Sequence, residues 1–158
     1  MEINADILKI VCFLHWGMNK YKSVLESTSK TNNNLDYCVL VVEDDDVAYL
    51  LLQEILSSYK IDLQRAVNGE EAIDYFYKDR NTADLVFMDI RLPKVNGFEA
   101  TRRIKELNPT LPIIAITAYA HSQGIIDCFN SGCDDYVAKP YDIGKILNLV
   151  ENHLIFKN

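Results

Sequence analysis

The sequence predicts an α/β protein in which helices cover both faces of a five-stranded parallel sheet. After residue 36, short apolar runs alternate five times with segments whose apolar residues recur at helical spacing. The first run, Tyr37–Val42, is continuously apolar and β-branched, which is typical of a strand buried on both faces. Strict alternation of strands and helices favours a doubly wound sheet with right-handed crossovers.

The same patterns place the other elements. Strands are predicted at Ile61–Val67, Asp84–Met88, Pro112–Ala118 and Tyr136–Ala138. Helices are predicted at Val47–Tyr59, Glu70–Lys78, Phe98–Leu107, His121–Asn130 and Asp142–Leu154. Local signals support these limits: Asn68-Gly69 is a turn sequence, Asn108-Pro109 stops the third helix, and Gly132 suits the end of the fourth.

The composition suits one acidic globular domain with a short additional segment. The 158 residues carry a formal net charge of -7, and such a chain is poorly suited to bind nucleic acid directly, because phosphate contacts need clustered Lys and Arg. The four cysteines form no C-x-x-C pair, which favours reduced thiols over a disulfide or a zinc site. The apolar stretch 7–18 contains Lys9 and is too short to span a bilayer. We therefore expect a soluble, cytoplasmic protein that makes no membrane contact.

The predicted strands end in residues that carry chemistry. The first strand ends in Glu43-Asp44-Asp45, the third in Asp89, the fourth in Thr117-Ala118 and the fifth in Lys139-Pro140. Because ligands of open parallel sheets bind beyond the carboxyl ends of the strands, we expect these side chains to meet in one crevice.

This set of side chains indicates phosphoryl transfer to an aspartate. Two carboxylates about 4 Å apart repel by roughly 4 kcal/mol at an effective dielectric near 20, so a cluster of them favours a bound cation, and hard oxygen ligands favour Mg²⁺. A carboxylate beside Mg²⁺ is a competent nucleophile toward phosphorus, while a lysine and a hydroxyl can bind the phosphoryl oxygens. Taken singly, each feature is also explained by helix capping, a turn or packing. Their joint placement at four strand ends favours the functional interpretation.

Four segments carry a resemblance to a known family. VLVVEDD, LVFMDIRLPKVNGFEATRRIK, PIIAITAYA and GCDDYVAKP occur in the order and spacing of the receiver domain of two-component response regulators. The chain resembles this family over about residues 36 to 155, and it looks especially similar to receivers of hybrid sensor histidine kinases. The resemblance implies a flavodoxin-like fold with strand order 2-1-3-4-5.

The resemblance also implies roles for individual residues. Asp89 corresponds to the phosphorylated aspartate and Lys139 to the lysine of the site. Glu43 and Asp44 match the acidic pair that holds Mg²⁺ (or Mn²⁺) together with Asp89 and the backbone carbonyl of Arg91. Glu43 is longer by one methylene than the Asp found in many members, so Asp44 is the better candidate for a direct ligand.

Further positions match the conformational switch of the family. Thr117 corresponds to the hydroxyl that turns toward the phosphoryl group, and Tyr136 to the aromatic residue that changes rotamer with it. Pro140 would follow a cis peptide bond. Arg91 and Tyr119 occupy positions that tune the lifetime of the phosphoryl group. A bulky Tyr119 would shield the acyl phosphate and Arg91 would bind it, which predicts slow self-dephosphorylation.

The resulting hypothesis is a phosphorylatable signalling module rather than an enzyme with its own turnover. Its expected partners are a sensor histidine kinase or histidine phosphotransfer protein and a downstream protein. Because only four residues follow Leu154, we expect no output domain after it.

One alternative is an aspartate-nucleophile phosphohydrolase, which needs a second carboxylate where Arg91 stands. The other is a receiver-like scaffold that is never phosphorylated, and the intact set of site residues argues against it.

A separate segment precedes the α/β domain. A polar linker at 27–35 divides an N-terminal amphipathic helical segment, 1–26, from the receiver-like region, 36–158. In the first segment an apolar stripe follows heptad spacing, formed by Ile7, Val11, Leu14, Met18, Tyr21 and Leu25. This helix could pack on its own domain, or it could form a homodimer or dock a kinase, or the segment could be a disordered tail.

Overall fold

A computed structural model of the chain describes residues 37–57, 59–78, 83–118 and 122–155. The strands are β1 Tyr37–Val42, β2 Ile61–Ala66, β3 Leu85–Asp89, β4 Ile113–Thr117 and β5 Asp135–Ala138. The helices are α1 Asp46–Leu56, α2 Gly69–Lys78, α3 Gly97–Leu107, α4 Ser122–Asn130 and α5 Ile143–Val150, the last continued by a π-helical turn, Glu151–Ile155. The predicted N-terminal helix and linker lie outside the described residues, so the boundaries at 26 and 35 stay predictions.

The five strands form one parallel sheet in the order β2-β1-β3-β4-β5, which confirms the predicted topology. The register aligns the carboxyl ends of the central strands, since Val42 pairs with Met88 and Thr117 with Ala138. The residues that follow β1 and β5 therefore lie beside the last residue of β3. This alignment places the predicted site at one edge of the sheet.

Helices bury both faces of the sheet, as the continuous apolar strands require. Alternate side chains of a strand point to opposite faces. Leu40 and Val42 of β1 belong to a core cluster with Phe76 of α2 and Ile104 of α3, and α2 contacts α3. The intervening β1 residue Val41 is also fully buried, and α1 and α5 contact each other.

The helix ends follow local capping rules. Asp45 caps α1 by accepting the amide N–H of Ala48 at 2.7 Å. At the end of α4, Gly132 adopts a φ of 101°, and the 132 and 133 amides bond back to the carbonyls of 129 and 128, the Schellman arrangement that favours glycine. Most predicted limits differ from the observed limits by no more than one residue, and two of the differences have a structural reason. Helix α1 ends at Leu56 rather than Tyr59, and Asp142 is the N-cap of α5 rather than its first residue.

Within the described ranges, no helix is long and apolar enough to cross a membrane. The three cysteines described there, Cys38, Cys128 and Cys133, are free. Burial raises the pKa of the Cys128 thiol to about 11, so this thiol stays protonated at neutral pH. Cys12 lies outside the described residues, so the predicted absence of a disulfide or a zinc site stays a prediction.

Candidate functional site

The acidic loop after β1 places Glu43 inside the protein and Asp44 at its surface. The Glu43 amide extends the sheet ladder by donating to the Ala66 carbonyl at 3.0 Å. The Glu43 residue is 1% exposed, whereas Asp44 is exposed. The carboxylate of Glu43 accepts the Asp45 amide at 3.2 Å. The loop thus holds one carboxylate in the interior while the next faces solvent.

Lys139 connects two buried carboxylates. Its Nζ donates to Glu43 Oε2 at 2.7 Å and to Asp89 Oδ2 at 2.6 Å. Lys139 is positioned by the end of β5, where its amide donates to the Thr117 carbonyl at 2.8 Å, and the Lys139–Pro140 peptide is cis, as the family resemblance implied. The residues at the ends of β1, β3 and β5 therefore meet as predicted.

Asp89 sits at the buried end of β3, and the loop after it is tightly packed. The Asp89 residue is 6% exposed, and its Oδ1 accepts the Arg91 amide at 2.7 Å. The loop closes where the Gly97 amide donates to the Ile90 carbonyl at 3.0 Å. A Cβ on Gly97 would lie 2.2 Å from the Asp89 carbonyl oxygen. Only glycine therefore fits this contact, which sets the backbone position of Asp89.

Burial and the lysine act in opposite directions on the acidic pair. Burial raises the pKa of Glu43, the nearby Asp89 raises it further, and the hydrogen bond from Lys139 only partly offsets these effects. Burial lowers the pKa of Lys139, but its hydrogen bonds to Asp89 and Glu43 outweigh burial and raise it overall. The lysine therefore remains a cation at neutral pH. The pKa of Glu43 stays raised because burial and the charge of Asp89 outweigh the effect of the lysine. A bound cation would lower the free-energy cost of keeping both carboxylates charged.

The carboxylates fit a divalent cation. Ligand oxygens of Glu43, Asp44 and Asp89 all lie within 4.8 Å of one another. Hard oxygen donors with one solvent-facing member suit Mg²⁺, which keeps several waters and takes few protein ligands. The donor set and its charge thus agree with the cofactor expected from the sequence.

The predicted switch residues lie on β4 and β5. Thr117 is 3% exposed at the end of β4 and lines a cleft of about 650 Å³ together with Asp44, Arg91 and Phe98. Tyr136 in β5 is half-buried and packs against the core. Lys145 Nζ lies 3.8 Å from the centre of the Tyr136 ring. Tyr119 lies outside the described residues, so its predicted role in the site stays a prediction.

Two residues near the acidic pair were not identified from the sequence. Tyr141 places its hydroxyl 3.4 Å from Glu43 Oε2, and burial and the two carboxylates Glu43 and Asp89 raise the pKa of this phenol. Arg65 of β2 donates from Nε to the Glu43 carbonyl at 3.1 Å. Tyr141 follows Lys139 by two positions, a spacing that could have suggested it. Arg65 has no such signal, because it approaches from a neighbouring strand.

The fold and the site together define a doubly wound α/β domain with an acidic pocket and a lysine at the carboxyl edge of its sheet. The model of the response regulator receiver domain matches residues 39–151. The chain belongs to this family and is a receiver domain of two-component signalling.

Relatives of this chain include sensor kinases. The autoinducer 1 sensor kinase/phosphatase LuxN of Vibrio harveyi is 32% identical over 151 residues, which cover 95% of this chain and 17% of LuxN. The sensor histidine kinase RcsC of Salmonella typhi is 34% identical over 75% of this chain and 12% of its own length. The chain therefore spans less than a fifth of these relatives.

Solved receiver structures share the fold. A two-component response regulator from Clostridium difficile is 29% identical, with a TM-score of 0.71 over 78% of this chain and 99% of that one. The receiver of the sensor histidine kinase PA1611 from Pseudomonas aeruginosa, with a magnesium ion in its active-site cleft, is also 29% identical, with a TM-score of 0.68 over 75% and 98%. The Saccharomyces cerevisiae receiver Ssk1, solved with the phosphotransfer protein Ypd1, is 26% identical, with a TM-score of 0.68 over 78% and 95%.

Proposed function

We propose that Asp89 accepts a phosphoryl group from a phosphohistidine and that the domain then changes a protein-interaction surface or passes the phosphoryl group on. The observation that carries this proposal is the contact of Lys139 Nζ with both Asp89 and Glu43, at 2.6 and 2.7 Å. It puts a cation and a second carboxylate directly beside the proposed nucleophile. Phosphoryl transfer depends mainly on such positioning and charge compensation.

In the proposed reaction, a carboxylate oxygen of Asp89 forms a bond to phosphorus as the bond from phosphorus to the donor nitrogen breaks. The electron pair of that bond stays on the imidazole, which takes up a proton. Lys139 donates to the transferred oxygens, and the buried Thr117 hydroxyl lies at the next strand end. Mg²⁺, held by Asp44, Glu43, Asp89 and the Arg91 carbonyl, would offset the negative charge of the incoming group. The product is an acyl phosphate, and no turnover of a separate substrate is proposed.

The phosphohydrolase alternative lacks a key group. It requires a carboxylate two residues after the nucleophile as general acid, and this position is occupied by Arg91, whose amide donates to Asp89 Oδ1.

The proposed partners are a sensor histidine kinase or a histidine phosphotransfer protein, in line with the complex of Ssk1 with Ypd1, and a downstream protein. A cytoplasmic location belongs to the same proposal.

The proposal is tested by incubating the full chain with acetyl phosphate and Mg²⁺ and measuring intact mass. We expect an added mass of one phosphoryl group, which is absent from Asp89→Asn and from samples with chelator. Asp127→Asn serves as a matched control. Asp127 lies on α4 and lines the cleft beside Thr117, but it is not part of the carboxylate cluster formed by Glu43, Asp44 and Asp89. No adduct on the wild type, or an adduct that persists in Asp89→Asn, would refute the proposal.

A further inference from the structure

Arg65 lies near the carboxyl end of β2 and bonds to the main chain of the acidic loop. It pairs with Val41 in the sheet register, so its side chain reaches the loop from the neighbouring strand. Its Nε donates to the Glu43 carbonyl at 3.1 Å and its Nη2 to the Asp44 carbonyl at 3.3 Å. Arg65 thereby holds the backbone of both acidic residues and leaves their carboxylates available for other contacts.

Two further contacts fix the orientation of the guanidinium. Its Nη1 forms an ion pair with Asp46 Oδ1 at 2.7 Å, and its carbon lies 4.5 Å from the centre of the Tyr49 ring. The Arg65 side chain is only 22% exposed. The planar fork of arginine can satisfy three acceptors while it stacks on a ring, whereas the ammonium of lysine cannot reproduce this geometry. Arg65 therefore joins the acidic loop to the first turns of α1.

This arrangement bears on Asp44 in particular. Its carboxylate has an oxygen within 4.8 Å of oxygens of Glu43 and Asp89, yet the residue is exposed. Packing therefore restricts the Asp44 side chain less than those of Glu43 and Asp89. The position of the Asp44 carboxylate depends instead on the course of the main chain. We propose that Arg65 is a positioning residue for the divalent cation site, acting through the Glu43 and Asp44 carbonyls. This inference rests on the proposed function, because it assumes that these carboxylates bind Mg²⁺.

The charge of Arg65 and its geometry have opposite consequences. A positive charge near a cation site disfavours Mg²⁺, and the ion pair with Asp46 offsets this effect only in part. The fixed loop favours Mg²⁺, since the ligands need less ordering when the ion binds. A substitution that keeps the charge and removes the fork separates the two effects. Arg65→Lys is this substitution.

The experiment is a calorimetric titration of the full chain with Mg²⁺ in the absence of any phosphodonor. Groups that orient metal ligands typically contribute tenfold or more to affinity, so we expect Arg65→Lys to raise the Kd for Mg²⁺ by about tenfold. Tyr49→Leu removes only the ring under the guanidinium, and we expect a rise of about threefold. Arg102→Lys is the matched control, because Arg102 donates its Nε and Nη2 to Glu99 on the exposed face of α3; its Kd should equal that of the wild type.

Urea unfolding of each variant in chelator separates positioning from a structural role. A lower free energy of unfolding with an unchanged Kd in Arg65→Lys would overturn the inference while leaving the proposed cation site intact. If Arg65→Lys does not fold, the Tyr49→Leu titration decides, and an unchanged Kd there overturns it too. A wild type that binds no Mg²⁺ would refute both the inference and the metal part of the proposed function.

Discussion

Replacing Lys139 with methionine would remove the cation between two buried carboxylates. Lys139 Nζ lies 2.7 Å from Glu43 Oε2 and 2.6 Å from Asp89 Oδ2. Carboxylate oxygens of Glu43 and Asp89 lie within 4.8 Å of each other, and two unit charges at that separation repel by roughly 3.5 kcal/mol at an effective dielectric of about 20. Solvent reaches part of the lysine, whose side chain is 28% exposed. We therefore expect Lys139→Met to lower the free energy of unfolding by about 2–3 kcal/mol in chelator at neutral pH.

The assay is urea unfolding of the metal-free protein, repeated with Glu43→Gln in both backgrounds. In the Lys139→Met background, Glu43→Gln removes one of the two repelling charges, so we expect it to recover at least half of the loss. Lys94→Met is the matched control, because Lys94 forms an exposed ion pair with Glu70 at 3.3 Å, and such pairs contribute about 1 kcal/mol or less.

Acidification should also reduce the deficit of Lys139→Met. Burial already raises the pKa of Glu43 above 4.5, and the hydrogen bond from Lys139 lowers it, so loss of the lysine raises this pKa further. A carboxyl whose pKa is higher in the folded state takes up its proton more readily when folded, and stability rises as the pH falls toward that pKa. A loss under about 0.5 kcal/mol, or no recovery with Glu43→Gln or with acid, would refute the proposed repulsion.

Three further predictions concern the loops around the site. In Gly97→Ala the new Cβ would meet the Asp89 carbonyl oxygen at 2.2 Å; we expect urea unfolding to show a loss of about 3 kcal/mol and acetyl phosphate to label the variant more slowly. Wild-type stability would contradict this packing. Asp45→Ala removes the N-cap of α1, and thermal unfolding should show a loss of about 1 kcal/mol; an unchanged midpoint would argue against the cap. If Tyr119 shields the acyl phosphate and Arg91 binds it, dephosphorylation followed by intact mass should be slow, and a half-life of minutes or less in Mg²⁺ would contradict this.

The fold was predictable because the sequence repeats one simple pattern. Continuous apolar strands such as Tyr37–Val42 indicate burial on both faces, and helical spacing between them leaves few alternatives to a doubly wound sheet. The limits of the elements were less predictable. The predicted first helix continued to Tyr59, but both the amide and the hydroxyl of Ser57 bond to the Glu54 carbonyl and end the helix sooner. Apolar spacing does not reveal such local competition for backbone acceptors.

The convergence of the main candidate site residues could be predicted for a related reason. Asp89 and Lys139 each follow a strand, and parallel topology alone brings strand ends to one edge. The family resemblance then assigned expected roles to them and to Thr117. Arg65 and Tyr141 could not be found in this way, because their roles depend on where a long side chain ends rather than on where its backbone begins.

The sequence by itself thus determined the class of fold, the edge of the sheet that carries the site and the acidic, basic and hydroxyl groups present there. These properties follow from residue type and periodicity, which are local. Only the tertiary structure decided that Lys139 contacts both Glu43 and Asp89, that Gly97 sets the backbone of Asp89, and that Arg65 holds the acidic loop. The physical reason is that hydrogen bonds and close contacts between distant segments depend on distances of a few ångströms, which arise only when the strands and helices have packed.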